Sequence, residues 1–208
     1  MSFPKEYWNN EHLKYPAKRP AYDLWLDRYK NTLEKSMETP IVDLGCGCGN
    51  NSLYLVERGY KVISCDISEV AVKRVETYVP EAVTMVINML DGLPLESDSA
   101  NVVITDLSLH YFSWNDTLMI LQDIKRVLKP GGHLFCRVNS TKDVNYGAGQ
   151  GIEAEENYYE VNGNYKRFFD RKSLEKLFNR WNISYISEYE MCRYKLPKVV
   201  WEVAATGK

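Results

Sequence analysis

The sequence predicts an α/β protein built on a mostly parallel β-sheet. Three observations support this prediction. Strand-length apolar runs alternate with segments of helical periodicity, the central apolar runs are continuous, and a glycine-rich turn directly follows the first strand. Continuous apolar runs are typical of parallel strands that helices cover on both faces. The 208 residues, 45% of them hydrophobic, are sufficient for one domain with a substantial core, so we treat 1–208 as a single domain.

The first half of the chain contains a leading helix and two strand–helix units. The leading helix is predicted from apolar residues that recur with the spacing of one helix face, at Tyr22, Trp25, Leu26, Tyr29 and Leu33. The units that follow are a strand at 40–44, a helix at 51–58, a strand at 61–66, and a helix that begins after the N-cap residue Ser68 and ends before Pro80.

The second half continues the alternation and ends in two strands. The predicted elements are strands at 83–88 and 101–107, a helix from about 116 with Leu118 facing inward, a strand at 133–139, a helix at 173–180, and strands at 183–190 and 198–206. The last two strands are separated by too few residues for a parallel crossover, which needs a dozen or more. They should therefore form an antiparallel hairpin, so that one strand of the sheet is reversed.

Composition and charge exclude several classes of protein. The formal net charge of −2 provides no basic field for nucleic acid, and no segment has the apolar length of a signal peptide core or a membrane span. The five cysteines are an odd number of scattered thiols, which indicates a reducing compartment. Cys46 and Cys48 lack the second cluster that a four-ligand metal site requires. We expect a cytoplasmic protein without a metal, acting as a monomer or homodimer.

The turn after the first strand has the features of a binding site for a cationic nucleoside. Gly45, Gly47 and Gly49 allow a ligand to approach the main chain closely. The spacing is G-x-G-x-G, whereas dinucleotides are bound by G-x-G-x-x-G. Asp43 would repel a pyrophosphate but favours a ligand that carries an ammonium and a sulfonium. Asp66 ends the second strand, at the position from which an acid accepts hydrogen bonds from both ribose hydroxyls.

The segment 43–49, DLGCGCG, resembles the D-x-G-x-G-x-G signature of the class I S-adenosylmethionine-dependent methyltransferases. Four further matches stand in the order of that family: Asp66, LPL at 93–95, LSLHYF at 107–112 and LKPGG at 128–132. Together they cover residues 41–139. The resemblance implies a Rossmann-like, seven-stranded, mostly parallel sheet with an antiparallel C-terminal strand and helices on both faces. It also implies S-adenosylmethionine as the cofactor and S-adenosylhomocysteine as the product.

The resemblance also implies which residues hold the cofactor. The adenine amine would be bound by the Asn88 side chain, with the backbone N–H of Met89 or Leu90 binding a ring nitrogen. A shift of the alignment by one residue would put Met89 in the place of Asn88 and leave the amine without a partner. The family usually has an acid at this position, but the amide oxygen of Asn88 can accept the same hydrogen bond. The complete predicted set is Asp43, Gly45, Cys46, Gly47, Gly49, Asp66, Ile67, Asn88, Met89, Leu90, Asp106 and Leu107.

The acceptor is expected to be a small molecule. Methyl transfer from a sulfonium needs alignment more than a nucleophilic side chain, and a protonated acceptor is helped by a base. His110 and Tyr146 are the predicted catalytic residues. The Asp/Asn-Pro-Pro-aromatic motif of enzymes that methylate exocyclic base amines is absent after the fourth strand. Three alternatives stay open: a protein methyltransferase, a non-catalytic S-adenosylmethionine-binding module and, less favoured, an NAD(P)-dependent oxidoreductase.

Two segments outside the predicted core could cover the site. Residues 1–38 form an N-terminal arm and helix, and the arm carries the aromatic residues Tyr7, Trp8 and Tyr15. Residues 141–170 form an insertion rich in tyrosine and glycine, and long connections of this kind are often functional. This insertion is either a lid over the acceptor or an added β-hairpin without substrate contact.

Overall fold

The strands of the computed structural model alternate with helices, as the sequence predicts. The structure describes residues 5–207, and residues 1–4 and 208, at the two ends of the predicted domain, lie outside that range. Within it the strands are β1 (Ile41–Leu44), β2 (Val62–Asp66), β3 (Val83–Val86), β4 (Ala100–Asp106), β5 (Leu128–Asn139), β6 (Ile152–Glu155), β7 (Tyr158–Val161), β8 (Asn164–Arg167), β9 (Trp181–Met191) and β10 (Lys198–Gly207). The α-helices are α1 (Lys5–Leu13), α2 (Lys30–Glu34), α3 (Asn50–Val56), α4 (Glu69–Tyr78), α5 (Trp114–Val127) and α6 (Arg171–Leu177).

The central sheet has seven strands in the order β3-β2-β1-β4-β5-β10-β9. β1 to β5 are parallel, and β10 is antiparallel to both β5 and β9. The predicted mostly parallel sheet with a reversed C-terminal strand is therefore confirmed, and so is the final hairpin. Strand order changes direction between β1 and β4, which opens a crevice at their carboxyl ends.

The leading helix differs from its prediction in form but not in its buried face. A 3-10 turn at Trp25–Tyr29 precedes the short helix α2, instead of one continuous helix from residue 22. Four of the five residues predicted to share one face are buried, namely Trp25, Leu26, Tyr29 and Leu33. The apolar spacing identified the packed surface correctly, because 3-10 and α-helical turns place nearby positions on a common side.

Two predictions of burial are wrong. Leu118 is 38% exposed, because α5, which follows the N-cap residue Ser113, turns Ile120 inward in its place. Leu121 and Ile124 are buried, as the helical spacing predicts. β3 is an edge strand that pairs only with β2, so Val83 and Val86 are exposed although the apolar run suggested cover on both faces.

The insertion forms its own small antiparallel sheet, in the order β6-β7-β8. It therefore has one strand more than the predicted hairpin. The Tyr158 hydroxyl donates to the carbonyl oxygen of Tyr111, at 3.2 Å, and so joins the small sheet to the segment after β4. No helix among residues 5–207 is long and apolar enough to cross a membrane.

Candidate active site

A cavity of about 310 Å³ lies at the carboxyl ends of β1, β2 and β4. The crossover after β1 and the reversal of strand order leave this space open above the sheet. Nine of the twelve predicted cofactor-binding residues line it, namely Gly45, Cys46, Gly47, Asp66, Ile67, Asn88, Met89, Asp106 and Leu107. The structure thus brings together residues that are up to 62 positions apart in the sequence.

The first glycine of the turn is required by close packing. Gly45 has φ +76°, and a Cβ atom there would lie 2.5 Å from Cβ of Ser108 and 3.1 Å from the Met89 methyl group. No side chain larger than hydrogen fits between β1 and the segment after β4. The bare main chain at Gly45 is what leaves room for a ligand over the turn.

Asp66 is positioned by backbone groups at the cavity wall. Its Oδ2 accepts from the N–H of Gly47 at 2.8 Å, and its Oδ1 accepts from the N–H of Ser68 at 2.9 Å. Burial raises the pKa of Asp66, against the opposing effect of these hydrogen bonds. Each carboxylate oxygen keeps a second lone pair. The arrangement allows Asp66 to accept hydrogen bonds from two neighbouring hydroxyl groups of a ligand.

The adenine position contains the two residues that sequence analysis left as alternatives. Asn88 and Met89 both line the cavity. The Oδ1 atom of Asn88 accepts from the N–H of Leu90 at 3.1 Å, which caps the short turn that follows β3. Leu90 does not line the cavity. The choice between Asn88 and Met89 as the adenine-binding side chain remains a prediction.

Asp43 and Gly49 do not line the cavity either. Asp43 is fully buried below the glycine turn, where its Oδ2 accepts from the hydroxyl of Ser52 at 2.6 Å. Its Oδ1 has no partner among residues 5–207, and burial raises the pKa to about 7. Direct contact of Asp43 with a ligand is therefore corrected to a position under the turn. Gly49 has φ +90° and caps α3, next to Val75.

Asp106 is held by a buried arginine that sequence analysis missed. Arg137 donates from Nε to Oδ1 at 2.8 Å and from Nη2 to Oδ2 at 2.7 Å. Burial by itself would raise the pKa of Asp106, but the charge and hydrogen bonds of Arg137 outweigh it and lower the pKa. Arg193 and the Asn51 amide also approach Oδ2, each at 3.4 Å. The sequence contained a signal for this ion pair: Arg137 stands inside the apolar run HLFCRVN, and a buried arginine requires a partner.

Neither predicted catalytic residue lines the cavity. His110 is 2% exposed, directly behind Tyr111, and burial lowers its pKa well below the usual range. The Tyr146 hydroxyl donates to the carbonyl oxygen of Leu196 at 3.1 Å and accepts from the N–H of Leu196 at 3.3 Å. These contacts anchor Tyr146 to the β9–β10 loop. Neither residue is thus among those that line the cavity, and their catalytic role stays a prediction.

Helix α1 lies across the mouth of the cavity. Trp8 and His12 line it, and the Trp8 ring packs edge-on against Tyr111 with the centroids 4.7 Å apart. His12 Nδ1 lies 3.4 Å from Sγ of Cys48 in the glycine turn. α1 has no buried residue; besides these contacts, its Asn9 side chain accepts from the hydroxyl of Ser68, the N-cap residue of α4, at 2.7 Å. The aromatic arm predicted from the sequence thus becomes a helix at the site entrance.

The cavity has the geometry expected for a nucleoside that carries a positively charged group. It combines main chain of the glycine turn with two carboxylates, those of Asp66 and Asp106, in its lining. Aromatic rings of Trp8, Tyr111 and Phe112 provide apolar cover. Such a site aligns a bound group and excludes water.

Known methyltransferases are similar to this chain in sequence. Residues 42–136 match the sequence family described as the methyltransferase domain. An uncharacterised methyltransferase of Synechocystis sp. is 33% identical over 106 residues, which cover 51% of this chain and 49% of that protein. A demethylmenaquinone methyltransferase of Lactococcus lactis is 33% identical over 122 residues, 55% of this chain and 48% of that protein. The chain thus spans about half the length of each of these two relatives.

A solved structure shows the same fold over most of the chain. The S-adenosylmethionine-dependent methyltransferase of Methanosarcina mazei superposes with a TM-score of 0.77 at 23% identity, covering 89% of this chain and 98% of that one. Residues 42–136 are therefore similar to a methyltransferase domain, and the chain shares the fold of an S-adenosylmethionine-dependent methyltransferase. That solved structure is named for its dependence on S-adenosylmethionine, the cofactor that the sequence predicts for this chain.

Proposed function

We propose that the protein transfers the methyl group of S-adenosylmethionine to a small-molecule acceptor by in-line displacement. The observation that carries the proposal is the cavity in which Asp66, held by the Gly47 and Ser68 N–H groups, faces the bare main chain of the turn. This arrangement suits a nucleoside without phosphate. In such a reaction the protein aligns acceptor, methyl group and sulfur, and several kcal/mol of the barrier are removed by orientation.

Three features support a small acceptor in the cytoplasm. The Lactococcus relative is named for a small-molecule acceptor, the quinone precursor demethylmenaquinone. Trp8, Tyr111 and Tyr194 line the cavity, and large aromatic side chains in a lining favour a compact substrate. All five cysteines are free thiols, as in a reducing compartment. We propose a monomer or homodimer that acts on neither nucleic acid nor membranes.

The test is calorimetry with S-adenosylhomocysteine, S-adenosylmethionine and NADH. We expect both S-adenosyl compounds to bind and NADH not to bind. Asp66→Asn should weaken S-adenosylhomocysteine binding about tenfold or more, because it loses an acceptor of two charge-assisted hydrogen bonds. Asp91→Asn is the matched control, since Asp91 is exposed and does not line the cavity. Binding of NADH alone would replace the proposal with an oxidoreductase.

A second measurement separates catalysis from binding. Release of S-adenosylhomocysteine in a screen of small amines, thiols, phenols and carboxylates supports the enzyme. Release with protein substrates alone would indicate a protein methyltransferase. Tight cofactor binding without release from any acceptor would indicate a non-catalytic binding module.

A further inference from the structure

Beside the cofactor cavity, a group of polar side chains lies at the carboxyl end of β5 and the start of β10. Lys198 is buried and its Nζ lies 2.8 Å from Oδ2 of Asp143, which is also buried. The same Nζ lies 4.6 Å from the ring centroid of Tyr146 and 5.5 Å from that of Tyr194. Tyr194 also lines the cofactor cavity, so this group adjoins the proposed methyl donor.

A second lysine in this group has no counter-ion. Lys166, on β8, donates to the carbonyl oxygen of Tyr146 at 3.4 Å, and no carboxylate of residues 5–207 lies within ion-pair distance of it. Both lysines contact Tyr146, Lys166 at its carbonyl oxygen and Lys198 at its ring. Burial and the charge of Lys198 lower the pKa of Lys166, against the opposing effect of Asp143. Asp143 is already paired with Lys198. One positive charge at this place is therefore uncompensated.

Two further side chains of the group are buried with unused hydrogen-bonding atoms. Among the described residues, neither Oδ1 nor Nδ2 of Asn139 has a partner, and neither has Nδ1 of His110. Both side chains are at least 98% buried. Buried polar atoms without partners are uncommon in folded proteins, and each one is costly. Three such atoms, on β5 and on the segment after β4, indicate a place where a polar ligand would supply the missing hydrogen bonds.

The sheet places Asn139 on the same side as Lys198. Asn139 pairs with Val200 across β5 and β10, and paired or alternate residues share one face of a sheet. The turn at Leu109–Tyr111, which contains His110, packs against β8 and β5, the strands that carry Lys166 and Asn139. Burial lowers the pKa of His110, and the charges of Lys198 and then Lys166 lower it further. The neutral imidazole is a donor through one ring nitrogen and an acceptor through the other. The ammonium groups of the two lysines, the amide of Asn139 and the imidazole of His110 are thus grouped beside Tyr111.

We infer that Lys166, Lys198, Asn139 and His110 form a subsite for a carboxylate group of the methyl acceptor. Lys166 supplies the charge that a single anionic group neutralises, the Asn139 amide donates a hydrogen bond, and Lys198 is a second cation. Because Lys166 belongs to β8, the inserted sheet forms one wall of the acceptor site. The inference rests on the proposed function, since it concerns the acceptor of that reaction.

The experiment uses the full-length protein saturated with S-adenosylhomocysteine, and benzoate, benzamide and phenyl phosphate as probes. Calorimetry or ligand-observed NMR gives each affinity. Benzoate should bind about tenfold more tightly than benzamide, and Lys166→Met should reduce that preference about tenfold while leaving the affinity for S-adenosylhomocysteine unchanged. Lys195→Met is the matched control, because it removes an exposed charge from the nearby β9–β10 loop and should leave benzoate binding as it is.

A second variant tests the unused amide atoms. Asn139→Leu keeps a similar volume, so we expect a higher thermal unfolding midpoint together with weaker benzoate binding. A purely structural asparagine would give lower stability and unchanged benzoate affinity. Equal affinities for benzoate and benzamide, or a benzoate affinity that Lys166→Met does not change, would overturn the subsite, and tighter binding of phenyl phosphate would reassign it to phosphate. Failure to bind S-adenosylhomocysteine would instead overturn the proposed function itself, and the subsite with it.

Discussion

Arg137 and Asp106 form a two-point ion pair at the carboxyl ends of β5 and β4, with N–O distances of 2.7 and 2.8 Å. On its other side Arg137 donates to Asp23 at 2.8 Å, and its guanidinium lies 4.3 Å from the centroid of the Trp25 ring. Arg137 is fully buried. This one side chain therefore connects the segment before α2 to the acid that lines the cavity.

Replacing this arginine should be strongly destabilising. Arg137→Met leaves Asp106 without its main partner in a buried place, so we expect the free energy of unfolding to fall by about 3 to 5 kcal/mol. Urea denaturation followed by circular dichroism measures the change. Arg171→Met is the control, because the exposed Arg171–Glu175 pair should contribute less than about 1 kcal/mol. Equal losses of unfolding free energy in the two variants would show that the buried ion pair contributes no more to stability than the exposed one.

The first glycine of the turn should tolerate no side chain. Gly45→Ala brings a Cβ atom to 2.5 Å from Ser108, in addition to the cost of a positive φ. Gly131 has almost the same φ, +77°, but nothing lies within 4 Å of a Cβ atom there. Gly131→Ala should therefore cost only about 1 to 2 kcal/mol of stability.

The difference between the two alanine variants isolates the packing effect. We expect Gly45→Ala to unfold at a lower urea concentration than Gly131→Ala and to lose affinity for S-adenosylhomocysteine. Urea denaturation of both variants measures the difference in stability, and calorimetry with S-adenosylhomocysteine measures the difference in affinity. Unchanged affinity in Gly45→Ala would mean that the turn relaxes without disturbing the cavity.

Asp43 should make stability depend on pH in the slightly acidic range. Burial raises its pKa to about 7 from an ordinary value of 3.8, which the group regains on unfolding. Between these values the folded protein holds a proton that the unfolded chain has released. Its contribution to the free energy of unfolding therefore falls by about 1.4 kcal/mol per pH unit as the pH rises, and is level above pH 7.

Asp43→Asn removes this dependence. We expect the variant to gain stability relative to the parent protein at pH 8 and to gain none at pH 4, as measured by urea titrations at both values. Asp91→Asn provides the comparison for an exposed carboxylate. A shift of equal size at both pH values would contradict the raised pKa.

Cys48 should be more reactive than an ordinary thiol. Burial opposes ionisation, but hydrogen bonds and charge from His12 and Arg74 outweigh it and lower the pKa of Cys48. His12→Ala should therefore move the pH midpoint of Cys48 alkylation upward. Iodoacetamide labelling with mass spectrometry measures the rate, and exposed Cys192 in the same sample is the reference.

Cofactor binding should protect the same thiol. Cys48 lines the cavity, so S-adenosylhomocysteine is expected to slow its labelling and leave that of Cys192 unchanged. Labelling that is insensitive to both His12→Ala and S-adenosylhomocysteine would show that α1 does not rest on the turn as described.

Local patterns were sufficient to predict the parts of the site that follow one another along the chain. The glycine turn, Asp66 and the segment at 88–89 lie where their spacing placed them, because each stands at the end of a strand and parallel strands end at one edge of the sheet. Ser68 caps α4 as predicted, with its hydroxyl accepting from the N–H of Ala71. Sequence patterns failed for Leu118 and for β3, since burial depends on which neighbours an element acquires.

By itself, the sequence determined the alternation of strands and helices, the reversed final strand and the cofactor-binding turn, because these depend on short-range spacing and backbone chemistry. Only the tertiary structure decided which distant side chains meet. Arg137 joins Asp106, His12 of α1 meets Cys48 of the turn, and Lys166 of the insertion and Lys198 both contact Tyr146. Such contacts depend on strand order and loop packing, and no periodicity in the chain encodes them. The physical reason is that partners of buried charges are chosen by proximity in space, where the cost of leaving them unpaired is greatest.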